Sequence, residues 1–69
     1  MNLLSEPALR MLKLLTPEWI AIPTAIYERG MHVWNELYAN GLSEFSHYPG
    51  GCWVRLTKEA APYNPSMFN

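Results

Sequence analysis

Apolar residues at helical spacing open the chain. They recur at intervals of four, four and three positions, which places them on one helix face: Leu4, Ala8, Leu12 and Leu15. Arg10 and Lys13 fall on the opposite side, and Ser5 stands where a hydroxyl can cap a helix. Pro7 fits because the first turn of a helix has no internal partner for its N–H groups. The pattern predicts an amphipathic helix over about residues 6 to 15.

A second helix start follows at Thr16, Pro17 and Glu18. These residues supply, in order, a capping hydroxyl, a preset backbone dihedral and an acid beside the positive end of the helix dipole. Pro23 should end or kink the segment near Ile22, because the residue before a proline is disfavoured in the helical conformation. We therefore expect a short second helix here.

The longest helical pattern runs over residues 25–40, and Thr24 offers its cap. Its apolar face recurs at intervals of four, three and four: Ile26, Gly30, Val33 and Leu37. Glycine inside a helix costs about 1 kcal/mol relative to alanine. Gly30 therefore either permits close approach of another helix or splits the segment in two. Asn40 and Gly41 supply the left-handed termination that commonly ends a helix.

Two strand-like segments follow the helices. Residues 42–48 and 52–57 flank the Pro-Gly-Gly sequence at 49–51, a loop composition typical of a β-hairpin. The second strand should point three alternating residues inward: Cys52, Val54 and Leu56. The pattern indicates one folded domain over residues 1–61 and a Pro-rich tail over residues 62–69, whose apolar side chains could dock on the domain.

Composition and charge narrow the class of protein. A chain of 69 residues with 49% hydrophobic residues is too apolar for a disordered tail. The single cysteine allows no internal disulfide, and the first residues do not resemble a signal peptide, so we expect a cytoplasmic protein. Every apolar run is shorter than the roughly 18 residues of a membrane span, so no membrane partner is expected.

The order of the predicted elements resembles that of a winged helix-turn-helix domain. Residues 33–42 (VWNELYANGL) look like the end of a recognition helix leading into the first wing strand, and residues 54–59 (VRLTKE) are similar to the return strand. The resemblance implies an α+β fold: a three-helix winged helix-turn-helix-like domain with a C-terminal β-hairpin wing. Many members of this superfamily bind duplex DNA through the third helix and the wing, and many others bind only proteins.

A continuous third helix would turn a polar side outward. Asn35 could pair with adenine, Thr24 could touch a phosphate or a thymine methyl, and Arg29 could neutralise a phosphate. Further exposed positions on the helix and the wing complete the hypothetical DNA-binding set. Its members are Thr24, Arg29, His32, Asn35, Arg55 and Lys58. The alternative interpretation is a solvated polar face.

The charge balance weighs against DNA. Five Lys and Arg residues against six glutamates give a net charge of −1, whereas DNA-binding domains usually carry a basic excess. Glu28 and Glu36 would lie near the proposed DNA side and repel phosphates. With few cations per chain, a DNA-binding form should be a two-fold homodimer.

An aromatic stripe runs beside the polar side of the same helix. Its members recur at intervals of four, three and four: Tyr27, Met31, Trp34 and Tyr38. Such a stripe either packs into the core or, if exposed, forms a protein interface, since Tyr, Trp and Met are enriched there. Trp53, on the outward side of the second strand, would join that interface.

The sequence predicts neither an enzyme nor a metal or cofactor site. His32, His47 and Cys52 are the only soft ligands, and they lack the spacing of a structural zinc site. A catalytic cysteine needs a base and a cleft, which a hairpin on so small a domain rarely supplies. In a phosphate-binding loop, Lys, then Ser or Thr, and the start of a helix follow the glycines. The 49–51 loop lacks both and is interpreted as a turn.

Two functional hypotheses follow. The first is a small winged helix-like transcriptional regulator that binds double-stranded DNA. The alternative is an adaptor or inhibitor that binds a larger protein assembly through the aromatic stripe, and small compact chains of this kind resemble accessory proteins of phages. Clustering of Arg29, Arg55 and Lys58 on one surface would favour DNA, and scattered cations would favour a protein partner.

Overall fold

Three α-helices and a three-stranded antiparallel sheet make up residues 3–68, the part of the chain that the computed structural model describes. The elements follow in the order α1 (Glu6–Leu14), β1 (Ile20–Pro23), α2 (Thr24–Arg29), α3 (Met31–Ala39), β2 (Ser43–Tyr48) and β3 (Gly51–Leu56). Two 3₁₀ turns follow, at Lys58–Ala60 and Pro65–Phe68. The fold is therefore of the α+β class, and no helix within residues 3–68 is long and apolar enough to cross a membrane.

Helix α1 forms as its pattern predicts. The Ser5 hydroxyl accepts a hydrogen bond from the Ala8 amide at 3.3 Å, and Pro7 occupies the first turn. Ala8 and Leu12 are fully buried and face the rest of the molecule. The helix ends one residue earlier than predicted, at Leu14.

The predicted second helix is wrong, because the chain forms strand β1 there instead. The Thr16 hydroxyl does accept the Glu18 amide at 3.1 Å, but this local turn does not continue into a helix. Ile20 pairs with Val54 and Ile22 with Cys52, so hydrogen bonds from a distant strand decide the structure of this segment. A run of four residues carries too little periodicity to reveal such a strand.

Gly30 splits the long helical segment into α2 and α3. Its amide bonds the carbonyls of Ile26 and Tyr27, which ends α2, and its own carbonyl accepts the Val33 and Trp34 amides, which begins α3. The break changes the direction of the apolar face. Ile26, predicted to point inward, is 53% exposed, whereas Val33 and Leu37 are buried as predicted. Thr24 is the first residue of α2 and does not cap it.

Helix α3 ends in the left-handed turn that its sequence predicts. Gly41 has φ +74°, and its amide bonds the Tyr38 carbonyl at 2.9 Å. The Leu42 amide bonds the Leu37 carbonyl, also at 2.9 Å, and the Leu42 side chain is buried. These two bonds are those of a Schellman motif. Strand β2 begins at the next residue, Ser43.

The strands lie in the order β1-β3-β2, so the last strand along the chain is the central one. Cys52, Val54 and Leu56 alternate inward and are almost completely buried, as predicted. Their neighbours Trp53 and Arg55 therefore point to the other side of the sheet. The sheet has an inner face covered by the helices and an outer face.

The C-terminal residues pack against α1. Ala60 is fully buried, and the Asn64 side chain donates a hydrogen bond to the Leu12 carbonyl at 3.0 Å. Phe68 packs against the core cluster. The tail is docked on the domain, consistent with its apolar composition.

Candidate interaction surfaces

A groove runs between the helices and the hairpin. It consists of two clefts of about 260 and 220 Å³ that share Tyr27 and His47 in their walls. The first is completed by Asn35, Tyr38 and Phe45, and the second includes Met31. We call this surface the helix–hairpin groove.

Packed aromatic rings form one wall of the helix–hairpin groove. The Phe45 ring stands nearly perpendicular to those of Tyr27 and Trp34, with centroid distances of 5.8 and 6.3 Å. Tyr27 and Trp34 are nearly parallel at 6.4 Å, and Tyr38 lies 5.7 Å from Phe45. Edge-to-face and stacked pairs of this kind hold each ring in place, so the wall is ordered before any partner arrives.

The aromatic stripe predicted from the sequence divides between core and surface. Trp34 is only 2% exposed, so its expected place in an exposed interface is wrong and the core alternative is correct. Tyr38 and Met31 are 61% and 41% exposed, and Tyr27 is partly buried. Trp53, predicted to join the same interface, is exposed but lies on the outer face of the sheet, away from the stripe.

The predicted polar side of the helices does face outward. Thr24, His32 and Asn35 are all exposed. Asn35 lines the helix–hairpin groove, and Thr24 lines its second cleft. Their exposure is compatible with contact to either DNA or protein.

Glu36 does not lie on this side, in contrast to the prediction. Its carboxylate accepts the Ser5 amide at 2.7 Å and the Ser5 hydroxyl at 2.6 Å, so it caps helix α1 from helix α3. The hydrogen bond from the Ser5 hydroxyl, followed by that from the amide, lowers the pKa of Glu36 below its usual range. Glu36 is therefore a structural clasp between two helices.

The cations do not gather on one surface. Helix α3 contains neither Lys nor Arg, and Arg29 is exposed at the end of α2. Arg55 binds Glu44 at 3.1 Å and lies 4.4 Å from the centroid of the Trp19 ring. Arg55 and Lys58 line one cleft, but two glutamates line it as well and Arg29 does not. The basic field expected of a DNA-binding surface is absent from this cleft.

The outer sheet face carries a second aromatic surface. Trp19 and Trp53, each 40% exposed, form with Ser46 a cleft of about 330 Å³. The Tyr48 ring lies 5.3 Å from that of Trp53. Strand alternation predicts that Trp53 points outward, and the same alternation along β2 would have predicted Ser46 and Tyr48 on this outer face. Trp19 was missed because its segment was interpreted as a helix.

The single cysteine offers little chemistry. Cys52 is 2% exposed, and burial raises the pKa of its thiol. His47 lies opposite it in the β2–β3 pairing, but no three His, Cys, Asp or Glu side chains within residues 3–68 come together in a way that could hold a metal ion.

Comparison with known proteins adds no relative to this picture. No protein-family model, no curated protein and no solved structure matches the chain. The fold and the two aromatic surfaces therefore carry the functional argument.

Proposed function

We propose that this chain is a winged helix-like protein-binding module that acts as a non-enzymatic adaptor or inhibitor through its helix–hairpin groove. The order of three helices and a hairpin supports the winged helix-like assignment, with α3 in the position of the recognition helix. The observation that carries the functional proposal is the composition of the groove, which combines Tyr27, Tyr38, Phe45 and Met31 with polar residues and contains Glu28 but no Lys or Arg.

The groove has the properties of a protein interface. Interfaces are enriched in Tyr, Phe and Met because these side chains bury a large area and, for Tyr, retain a polar group. Tyr38 and Met31 remain exposed beside the buried Trp34, so a partner helix or loop could cover them without unfolding the core. Asn35 and His47 add hydrogen-bonding groups that can orient such a partner.

DNA binding is the second candidate function. Exposed Thr24, His32 and Asn35 favour it, and Arg29 could contact a phosphate. The electrostatics oppose DNA binding, because helix α3 has no Lys or Arg with which to neutralise the phosphates that flank a DNA groove. The protein-binding proposal therefore has the better support.

The test is capture of a partner from a lysate of the source cells with and without nuclease. The immobilised chain should retain a partner after nuclease treatment, and Tyr38→Ser should lose it because the substitution removes an exposed ring from the groove. Leu14→Ser is the matched control, since Leu14 is 74% exposed on α1 and does not line the groove.

Two results would contradict the proposal and favour DNA. One is loss of all captured protein on nuclease treatment. The other is a mobility shift of duplex DNA by the purified chain at low salt that disappears in both Asn35→Ala and Arg29→Ala.

A further inference from the structure

We propose that the outer sheet face is a second docking site, which binds a short, uncharged, proline-rich segment of another protein in the polyproline II conformation. The proposal is independent of the function assigned to the helix–hairpin groove. It rests on the cleft between Trp19 and Trp53, which has Ser46 in its lining and the Tyr48 ring tilted against that of Trp53 at 5.3 Å.

The central strand of this face offers no free backbone groups to a ligand. β3 is paired on both sides, with β1 and with β2, so its amides and carbonyls are engaged within the sheet. A ligand lying over the face must therefore be recognised by side chains. Proline-rich segments are bound in this way, because their rings pack on aromatic side chains and their conformation is formed before binding.

Charge complementarity favours an uncharged ligand. The guanidinium of Arg55 is paired with Glu44 at 3.1 Å and lies over the Trp19 ring, 4.4 Å from its centroid. Single-stranded nucleic acid also stacks on aromatic side chains, but it needs cations along its backbone, and this cation is engaged. An uncharged proline-rich segment gains the aromatic contacts without that requirement, and its free carbonyls can accept from the Ser46 hydroxyl.

The size of the face favours a peptide over a second copy of the chain. Three strands of up to six residues present a plane roughly 10 Å by 20 Å. A stable dimer interface needs roughly 800 Å² per partner, several times that plane. Six residues of polyproline II span about 19 Å, which matches the length of the strands.

The test follows the three indole N–H signals in a nitrogen–proton correlation spectrum of the full chain as a ten-residue polyproline peptide is added. The signals of Trp19 and Trp53 should shift with saturation, while that of the buried Trp34 stays in place and reports that the fold is intact. Trp19→Ala should weaken binding about tenfold or more, as expected for an aromatic anchor. Tyr38→Ser, which alters only the helix–hairpin groove, should bind polyproline normally.

Several outcomes would overturn the assignment. Absence of shifts at millimolar peptide would show that the outer sheet face does not bind polyproline. Equal shifts with a Gly-Ser peptide of the same length would show that the face has no preference for proline. Shifts of Trp19 and Trp53 that depend on protein concentration alone would make a second copy the occupant. Tighter binding of oligodeoxythymidine than of polyproline would make the ligand a nucleic acid.

Discussion

Trp34 and Trp53 lie on opposite sides of the same sheet and differ in how far they are exposed. Trp34, on helix α3, is 2% exposed and packs with Tyr27 of α2 and Phe45 of β2. Trp53 is 40% exposed and has Tyr48 beside it on the outer face. The contrast shows that the surroundings, more than the residue type, decide whether an aromatic side chain holds the fold together or is available to a partner.

Removal of Trp34 should have the largest effect. Trp34→Ala leaves a cavity in the core and should cost about 3–5 kcal/mol of unfolding free energy. A domain of 69 residues has roughly 3–10 kcal/mol in total, so the variant should lose about a third or more of its stability, measured as a lower midpoint of thermal unfolding by circular dichroism.

Trp34→Phe is the matched control for this prediction. Phenylalanine keeps most of the ring volume and removes the indole N–H, which is buried without a hydrogen-bond partner. This variant should stay folded. A stable Trp34→Ala variant that loses only partner binding would move Trp34 from the core to the interface and break the comparison.

Gly51, the first residue of β3, lies opposite Pro23 at the end of β1. Its substitution should have the next largest effect on stability. A Cβ at Gly51 would overlap the Ile22 carbonyl and press on the backbone where β1 passes into α2. Gly51→Ala should therefore cost about 1–3 kcal/mol in urea denaturation. Gly50→Ala is the control, because its Cβ would meet only the Tyr48 side chain at 3.1 Å. Equal loss in both variants would show that the loop and not the β1 contact is responsible.

The clasp between Glu36 and Ser5 should make the helical side of the molecule sensitive to acid. The pKa of Glu36 is lowered in the folded state, so the clasp stabilises the fold above the unfolded pKa and this contribution is lost as the pH falls through the folded one. Thermal stability should decline as the pH falls below about 5, and Glu36→Gln should flatten that decline. A decline of the same size in the variant would assign the acid sensitivity to other groups.

Tyr38→Ala should have the smallest effect on stability. Its side chain is 61% exposed, so the unfolding free energy should change by no more than about 0.5 kcal/mol. Loss of partner binding without loss of stability would sharpen the distinction between Tyr38 and Trp34, which are neighbours on one helix. A cost above about 2 kcal/mol would show instead that Tyr38 is part of the core.

Local signals predicted much of this fold. The cap at Ser5, the termination at Gly41 and the alternation of Cys52, Val54 and Leu56 each depend on a few adjacent residues, and all three are present. Strand β1 was missed because its structure depends on pairing with residues far along the chain. Local sequence contains no record of that pairing.

The candidate surfaces were predicted only in part, for a geometric reason. The stripe was predicted on one continuous helix, whereas Gly30 ends α2 and begins α3. Tyr27 still stacks on Trp34 across this break, but both rings pack on Phe45 and Trp34 is buried. Within α3 the stripe enters the core at Trp34 and returns to the surface at Tyr38. The groove also needs Phe45 from β2, which no helical pattern could include.

The central place of β3 has a consequence for how the chain is made. Both neighbouring strands precede β3 along the chain, so each must wait for it before its hydrogen bonds can close. A ribosome that stalls after Tyr48 would leave β1 and β2 without the strand that pairs with both. Such unpaired edges favour association between chains. Synthesis of the last strand thus separates an aggregation-prone nascent chain from a folded one.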